Sequence, residues 1–319
     1  MEETTILVAV LNKNETIRAC VESLLNLKEA PAKIMIVDGY STDGTYEILK
    51  EYQDKIELHQ YPQNLSATFN WALDRIGTKY AALTDGDCVV SPDWLTELLK
   101  GFAEENIVAA AGYCSTPKGL SLFQKIIGLE LENRFRRFPK YLSRAPTMNL
   151  CLKTDLAKKI KFDEKQMVDV EADFGFRLTK LGKIVYMPKA EIFHHHRNTL
   201  KNYFKQQKDY AKWGLRLLLK HGPRAAADSI TTLSMSLQIP FFTLGLISLF
   251  LSFFNWLFIY PTIFFAILLF IIYIKNIIEI KPPLACAPIL LIVFVLRTMS
   301  WLTGIAEGIL FSFSEVTKK

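Results

Sequence analysis

The chain has 319 residues, with 38 Lys and Arg against 32 Asp and Glu, for a formal net charge of +6. Residues 1–225 read as soluble sequence while 230–313 are dominated by Leu, Ile, Phe and Val, which excludes a single soluble domain of ordinary composition. Five cysteines without a CxxC pair exclude a zinc ribbon or a disulfide framework, and the cations gather at 134–144 and 197–224, beside the apolar tail, so a membrane surface and no nucleic acid is expected as partner.

The acidic start, Met1-Glu2-Glu3-Thr4-Thr5, runs directly into apolar sequence and is unlike a cleavable leader. Ile6–Leu11 predicts a first strand, followed by a helical pattern over 15–27. Lys33–Val37 predicts a second strand, closed by Asp38-Gly39-Tyr40-Ser41-Thr42-Asp43-Gly44-Thr45. A helix over 43–53, a strand over 56–60, a helix over 66–76 and a strand over 79–84 come next. Continuous apolar runs alternating with helices predict an α/β fold, with a mostly parallel sheet covered on both faces.

The run Ala81–Thr84 ends in Asp85-Gly86-Asp87. Ligands bind outside the carboxyl ends of parallel strands. Residues two apart on a strand face the same way, so Asp85 and Asp87 are expected to face one ligand. Carboxylates so close repel unless a cation sits with them, and hard oxygen donors suit Mg2+ or Mn2+. Asn14 and Glu15 follow the first strand and Asp38 ends the second, beside the same crevice. A carboxylate there can accept hydrogen bonds from a ribose or base, whereas Asp43 reads as a helix-start residue. Further on, a helical stretch over 120–137 carries Arg134 and Arg137, with Arg144 beyond it: a solvated helix end, or a lip that attracts phosphate or an anionic membrane. Three adjacent histidines stand in Phe193–Arg197, and in an extended segment His194 and His196 share a face while His195 points away.

The tail predicts about three membrane spans. Residues 230–274 are long enough for two of roughly 20 residues each, turning at Asn255-Trp256. A polar break over 275–283 precedes a third stretch, 284–313, whose Arg297 and Glu307 call for protein packing or an interface. Ahead of the tail, Lys201, Lys205, Lys208, Lys212, Arg216, Lys220 and Arg224 fall along one side of a helix, as expected of a helix lying among headgroups on the cytosolic leaflet.

Taken in order, Val37–Thr45, Asn64-Leu65-Ser66-Ala67 and Asp85-Gly86-Asp87 resemble family-2 glycosyltransferases of the GT-A fold, over roughly residues 4–215. The resemblance implies a Rossmann-like GT-A domain over 1–198, followed by a basic amphipathic region over 199–228 and an all-α membrane domain over 229–319. It implies a UDP- or GDP-linked sugar donor, a divalent cation (Mn2+ or Mg2+) on its diphosphate, and inversion at the anomeric carbon. Asn14, Glu15, Asp38 and Asp85 are assigned to the donor, with Asp38 at the nucleoside, and Asp87 matches the metal-binding aspartate. Val168–Leu178 looks like the segment that supplies the catalytic base; aligned through Arg177-Leu178, Glu171 falls on the base and Asp173 on the second acid, with Asp169 also a competitor. His194 matches the family histidine near the diphosphate, as metal or phosphate ligand. Asn149, Gln207, Arg134, Arg137 and His196 are assigned to acceptor or phosphate, and Phe69 stands where many relatives carry arginine. The Gln-x-x-Arg-Trp signature of processive polymerases is absent from Gln206–Trp213, which favours transfer of one sugar at the cytosolic membrane face, to a polyprenyl phosphate or lipid-linked glycan. A processive polysaccharide synthase and a non-catalytic nucleotide-sugar-binding scaffold are the alternatives.

Overall fold

The computed structural model describes residues 3–316, with side chains through residue 310. Strands β1 (Thr4–Val10), β2 (Lys33–Asp38), β3 (Glu57–Gln60) and β4 (Tyr80–Asp85) alternate with helices α1 (Ile17–Leu25), α2 (Thr45–Lys50) and α3 (Leu65–Arg75). They pair in parallel in the order β3-β2-β1-β4. Ile6, Leu7, Val8, Ile36, Val37, Ala82 and Leu83 are fully buried, which explains why these runs are continuous rather than alternating. Asn64 caps α3, its side chain accepting from the Ala67 amide at 3.0 Å.

Next come β5 (Cys88–Val90), α4 (Trp94–Lys100), β6 (Ile107–Ser115), α5 (Leu122–Arg136), β7 (Tyr141–Leu142), β8 (Asn149–Lys153), α6 (Thr154–Ile160), α7 (Val170–Leu178) and β9 (Lys183–His194). The complete sheet runs β3-β2-β1-β4-β8-β6-β9-β5, with β7 against β9. β6 and β9 are parallel, β8 lies antiparallel between β4 and β6, and β5 and β7 run antiparallel to β9. The sheet is therefore parallel through its first half and mixed beyond it. A buried antiparallel strand such as β8 carries the same unbroken apolar run as a parallel one, so its direction was not written in its composition.

The chain forms two compact units: Met1–Leu120 with Arg134–His196, and Ser121–Asn133 with Arg197–Lys319. Sequence composition placed its boundaries differently. Residues 121–133, which take in most of α5, group with the second unit, and the basic segment 199–228 belongs to that unit rather than standing apart. The second unit contains α8 (Leu200–His221), α9 (Leu233–Ser252), α10 (Ile259–Ile280) and α11 (Ala287–Val316). Leu233–Ser252, Trp256–Ile280 and Leu284–Leu310 are long and apolar enough to cross a membrane.

Helix α8 packs directly on α11. A Cβ on Gly304 would lie 2.2 Å from the Lys208 carbonyl oxygen, and one on Gly308 would lie 3.0 Å from that of Lys212, so two glycines four apart let the backbones meet. Lys208 Nζ pairs with Glu307 at 2.8 Å, and Trp301 Nε1 donates to Gln207 Oε1 at 3.1 Å. The expected stripe of seven cations facing headgroups is thus interrupted. Lys208 is engaged within the protein, and Gly222 (φ 65°) ends the helix before Arg224. Periodicity marks a face but not what covers it.

Arg297 is 1% exposed and lies against the rings of Phe294 and Trp301, at 4.7 and 4.5 Å. Its guanidinium pairs with Glu130 of α5 and donates to Gln238 Oε1 at 3.3 Å. Thr298 extends the cluster to Gln238 (3.1 Å) and Tyr273 (2.8 Å). Removing one member of a buried ion pair costs about 3–5 kcal/mol, whereas replacing both with apolar residues is often neutral. Arg297→Ala and Glu130→Ala are each expected to lower the Tm of the detergent-solubilised protein, and Arg297→Met with Glu130→Leu to restore most of it. An unchanged Tm in either single variant contradicts the role given to this pair.

Candidate active site

Val10 and Asp38 are partners in the β1–β2 ladder, so the loops that follow these strands begin side by side. They are laced together. Asn12, at φ 51°, donates its amide to Ser41 Oγ (2.8 Å) and accepts from the Thr42 amide (2.9 Å). The Lys13 amide donates to Thr45 Oγ1 at 2.7 Å. Asn14 donates its amide to Asp43 Oδ2 (3.1 Å) and its side chain to the Asp43 carbonyl (2.9 Å), while Glu15 is exposed ahead of α1. Asn14 thus fastens the loops to each other, and Asp43, which also accepts from the Thr45 amide at 3.0 Å, fits its helix-start reading.

Asp38 is fully buried at the base of these loops. Its Oδ2 accepts from the Ser41 amide and from Gln60 Nε2, both at 3.0 Å. Its Oδ1 is buried without a hydrogen-bond partner among the described residues. Buried polar atoms are nearly always partnered, and this oxygen can accept a further hydrogen bond, as from a hydroxyl or an N–H.

β4 stops at Asp85, and Gly86-Asp87 forms a turn into β5. Strand parity therefore reaches only the first of the two carboxylates, because the strand ends before the second one. Asp87 is set by β9 instead. Cys88 pairs opposite His194, and the His195 amide donates to the Asp87 carbonyl at 3.0 Å. His194 Nε2 then lies 3.5 Å from Asp87 Oδ1, while Lys13 Nζ forms an ion pair with Asp87 Oδ2.

The potential ligand atoms of Asp87, Cys88 and His194 lie within 4.8 Å of one another, and Asp85 is not among that group. Burial, followed by the nearby Asp87 and Asp85 charges, pushes the Cys88 thiol well above its ordinary pKa and keeps it protonated. The available donors are one carboxylate and one imidazole. These fit Mn2+ or Mg2+, with other positions left to phosphate or water. His196 is buried behind them, its Nδ1 3.2 Å from His194 Nδ1 and its Nε2 3.1 Å from Thr116 Oγ1. Burial, then the neighbouring His194, lowers its pKa to about 3, so this ring is neutral and backs His194 rather than meeting phosphate.

Helix α7 opens after Asp169, which is left-handed at φ 56° and receives Arg144 Nη1 at 2.7 Å. Gly175 lets the helix lie on Arg144, since a Cβ there would come 2.7 Å from Arg144 Cβ. Glu171 stands in the first turn. Burial raises its carboxyl to about 8; the Asp169 charge adds to the shift, Arg144 opposes it, and Asp85 adds a smaller push. Asp85 is therefore close enough for its field to act on Glu171.

Asp173, two residues on, is fully buried and accepts from Arg177 Nε at 2.8 Å. Arg177 in turn donates to the carbonyls of Ile160 (2.6 Å) and Lys161 (2.7 Å), so this acid belongs to a clip between α6 and α7.

Other expected contacts are placed elsewhere. Asn149 is 1% exposed; it accepts from Trp94 Nε1 (2.8 Å) and donates to the carbonyls of Tyr113 and Ala190 (both 2.9 Å), tying β8, β6 and β9. Gln207 holds Trp301 within the second unit. Arg134 lies in the last turn of α5 and Arg137 just beyond it, where cations complement the terminal carbonyls. Phe69 is in the core, its ring 5.0 Å from Phe162. Lys13 and Asn12 were missed, since neither belongs to a periodic pattern and only their place beside Asn14 pointed to them.

The mannosyltransferase PcManGT of Pyrobaculum calidifontis, solved with GDP-Man and Mn2+, has the same fold: TM-score 0.62 at 11% identity, covering 96% of this chain and 87% of that one. The Bacillus subtilis (strain 168) protein EpsH is 30% identical over 115 residues, 35% of this chain and 33% of that protein. WfaP of Escherichia coli, a UDP-Glc:alpha-D-GlcNAc-diphosphoundecaprenol beta-1,3-glucosyltransferase, is 32% identical over 90 residues, 27% of this chain and 36% of that protein. The matched stretch thus spans about a third of the length of each of these two relatives. Residues 5–160, just under half of the chain, match glycosyl transferase family 2, and that segment is of this family.

Proposed function

We propose that this protein is a membrane-anchored inverting glycosyltransferase. It moves one sugar from a UDP- or GDP-linked donor to a polyprenyl phosphate or lipid-linked glycan at the cytosolic membrane face. Glu171 carries the reading: a carboxyl raised to about 8, within the field of Asp85, is matched to taking a proton from a hydroxyl. Asp38 Oδ1 receives the nucleoside, and Asp85 faces the donor. A divalent cation held by Asp87 and His194 supplies the charge that offsets the growing charge of the leaving diphosphate. Glu171 accepts the acceptor proton as the acceptor oxygen attacks the anomeric carbon from the side opposite the diphosphate. The bond to the diphosphate breaks in the same displacement, and the centre inverts. Arg144, paired with Asp169, limits the repulsion felt by Glu171.

The membrane acceptor is supported by the three apolar segments and by the diphosphoundecaprenol-linked sugar in the name of WfaP. The cations of α8 and the turn after it support the cytosolic leaflet.

The base is active when ionised, so the transfer rate should rise with pH through a limb centred near 8 and level off above it. Glu171→Gln should lower kcat by roughly 10²- to 10⁴-fold and erase that limb; persistence of the limb removes Glu171 from the base role. Asp87→Ala should abolish Mn2+-supported transfer with an unchanged Tm, and full activity in that variant removes the metal role. Membranes containing the protein, given Mn2+ and radiolabelled nucleotide sugars, should place label in the organic phase on solvent extraction. Label confined to a high-mass aqueous product would instead indicate repeated chain extension, and binding without any label a scaffold.

A further inference from the structure

Lys13 lies in the loop after β1, and three features fix it there. Its amide donates to Thr45 Oγ1 at 2.7 Å, and its carbonyl accepts from the amides of Thr16 (3.0 Å) and Ile17 (2.8 Å) at the start of α1. Its stem passes over Gly86: a Cβ on that glycine would lie 3.4 Å from Lys13 Cγ and 2.9 Å from Val10 Cγ2. The glycine between the two aspartates therefore makes room chiefly for Val10, with the lysine stem in contact beside it. Finally, the ammonium is paired with Asp87 Oδ2, opposite the oxygen that faces His194. The two side chains are 23% and 10% exposed, so solvent screens this pair only in part.

We infer that Lys13 is a resident counter-ion of the cation site, which gives up Asp87 to an arriving divalent cation and passes its ammonium to the donor's phosphates. This rests on the glycosyltransferase reading above. A divalent cation and an ammonium compete for the same carboxylate, so the lysine weakens binding of the cation alone. Its backbone stays fixed while a flexible four-carbon stem carries three donors, which suits a point-charge contact to phosphate. Cation and nucleoside diphosphate are thereby coupled: each binds better when the other is present. No covalent step is involved.

The test uses the full chain in detergent. Binding of Mn2+ alone is followed by loss of the free-ion EPR signal, and binding of UDP and of GDP is then measured at saturating Mn2+. Lys13→Met is expected to bind Mn2+ alone more tightly, and its preferred nucleotide more weakly, each on the order of tenfold. Lys13→Arg, which keeps the charge, should retain most of the coupling. Lys13→Gln repeats the measurement should the methionine variant fail to fold. Unchanged Mn2+ affinity in the neutral variants, or parallel loss of both affinities, overturns the exchange. Wild-type protein that binds neither Mn2+ nor either nucleotide overturns the glycosyltransferase reading itself, and the exchange with it.

Discussion

The antiparallel pairing of β5 with the end of β9 is the constraint on which the site depends. Asp87 sits in a two-residue turn that has no rigidity of its own, and the chain segment that steadies it arrives 108 residues later, at His195. One amide-to-carbonyl bond closes the turn, and the same ladder sets an imidazole beside its carboxylate. His196, neutral because it is buried, adds no positive charge behind His194 and Asp87. The bulge in β9 opposite Gly112 and Tyr113 lets a single strand serve both the core ladder with β6 and this local clamp.

Charge around the crevice is distributed rather than neutralised. Lys13 answers Asp87 and Arg144 answers Asp169, while Glu171 is left with its affinity for a proton raised. That arrangement acts on stability with a definite sign. A carboxyl whose folded pKa is about 8, against an ordinary value of 4.5, holds its proton more tightly folded than unfolded. Its contribution is complete below the ordinary carboxyl range and is lost as pH rises through about 8. Ionising Glu171 and keeping the fold at its most stable therefore pull in opposite directions.

Much of this was legible in the chain. Unbroken apolar runs marked β1, β2 and β4, and the acids gathered where those strands end. The misreadings have physical causes. Strand parity reaches Asp85 but not Asp87, because it holds only while the backbone remains extended. Glu171 was set ahead of Asp173 only by alignment through Arg177-Leu178, because both fall in the first turn of one helix. Two residues apart on a helix is about 200° of rotation, so one faced the crevice and the other the core, and composition does not say which. The cation stripe of α8 has the same period whether it meets headgroups or protein. Gly304-Ile305-Ala306-Glu307-Gly308, with small residues four apart in an apolar stretch, was the available sign of a closely packed neighbour.

Helix α5 also bears on how such a protein can be taken apart. Phe123, Ile126, Ile127 and Leu129 pack into the apolar cluster of the second unit, yet they lie in mid-sequence between stretches of the first. A fragment ended at His196 keeps these side chains and loses what covers them, leaving a sticky apolar face in water. The sequence offers no single cut that frees a soluble catalytic half. Swapping membrane anchors between proteins built this way takes three crossovers, one at each end of the borrowed helix and one after His196, so the second unit cannot be exchanged at a single junction.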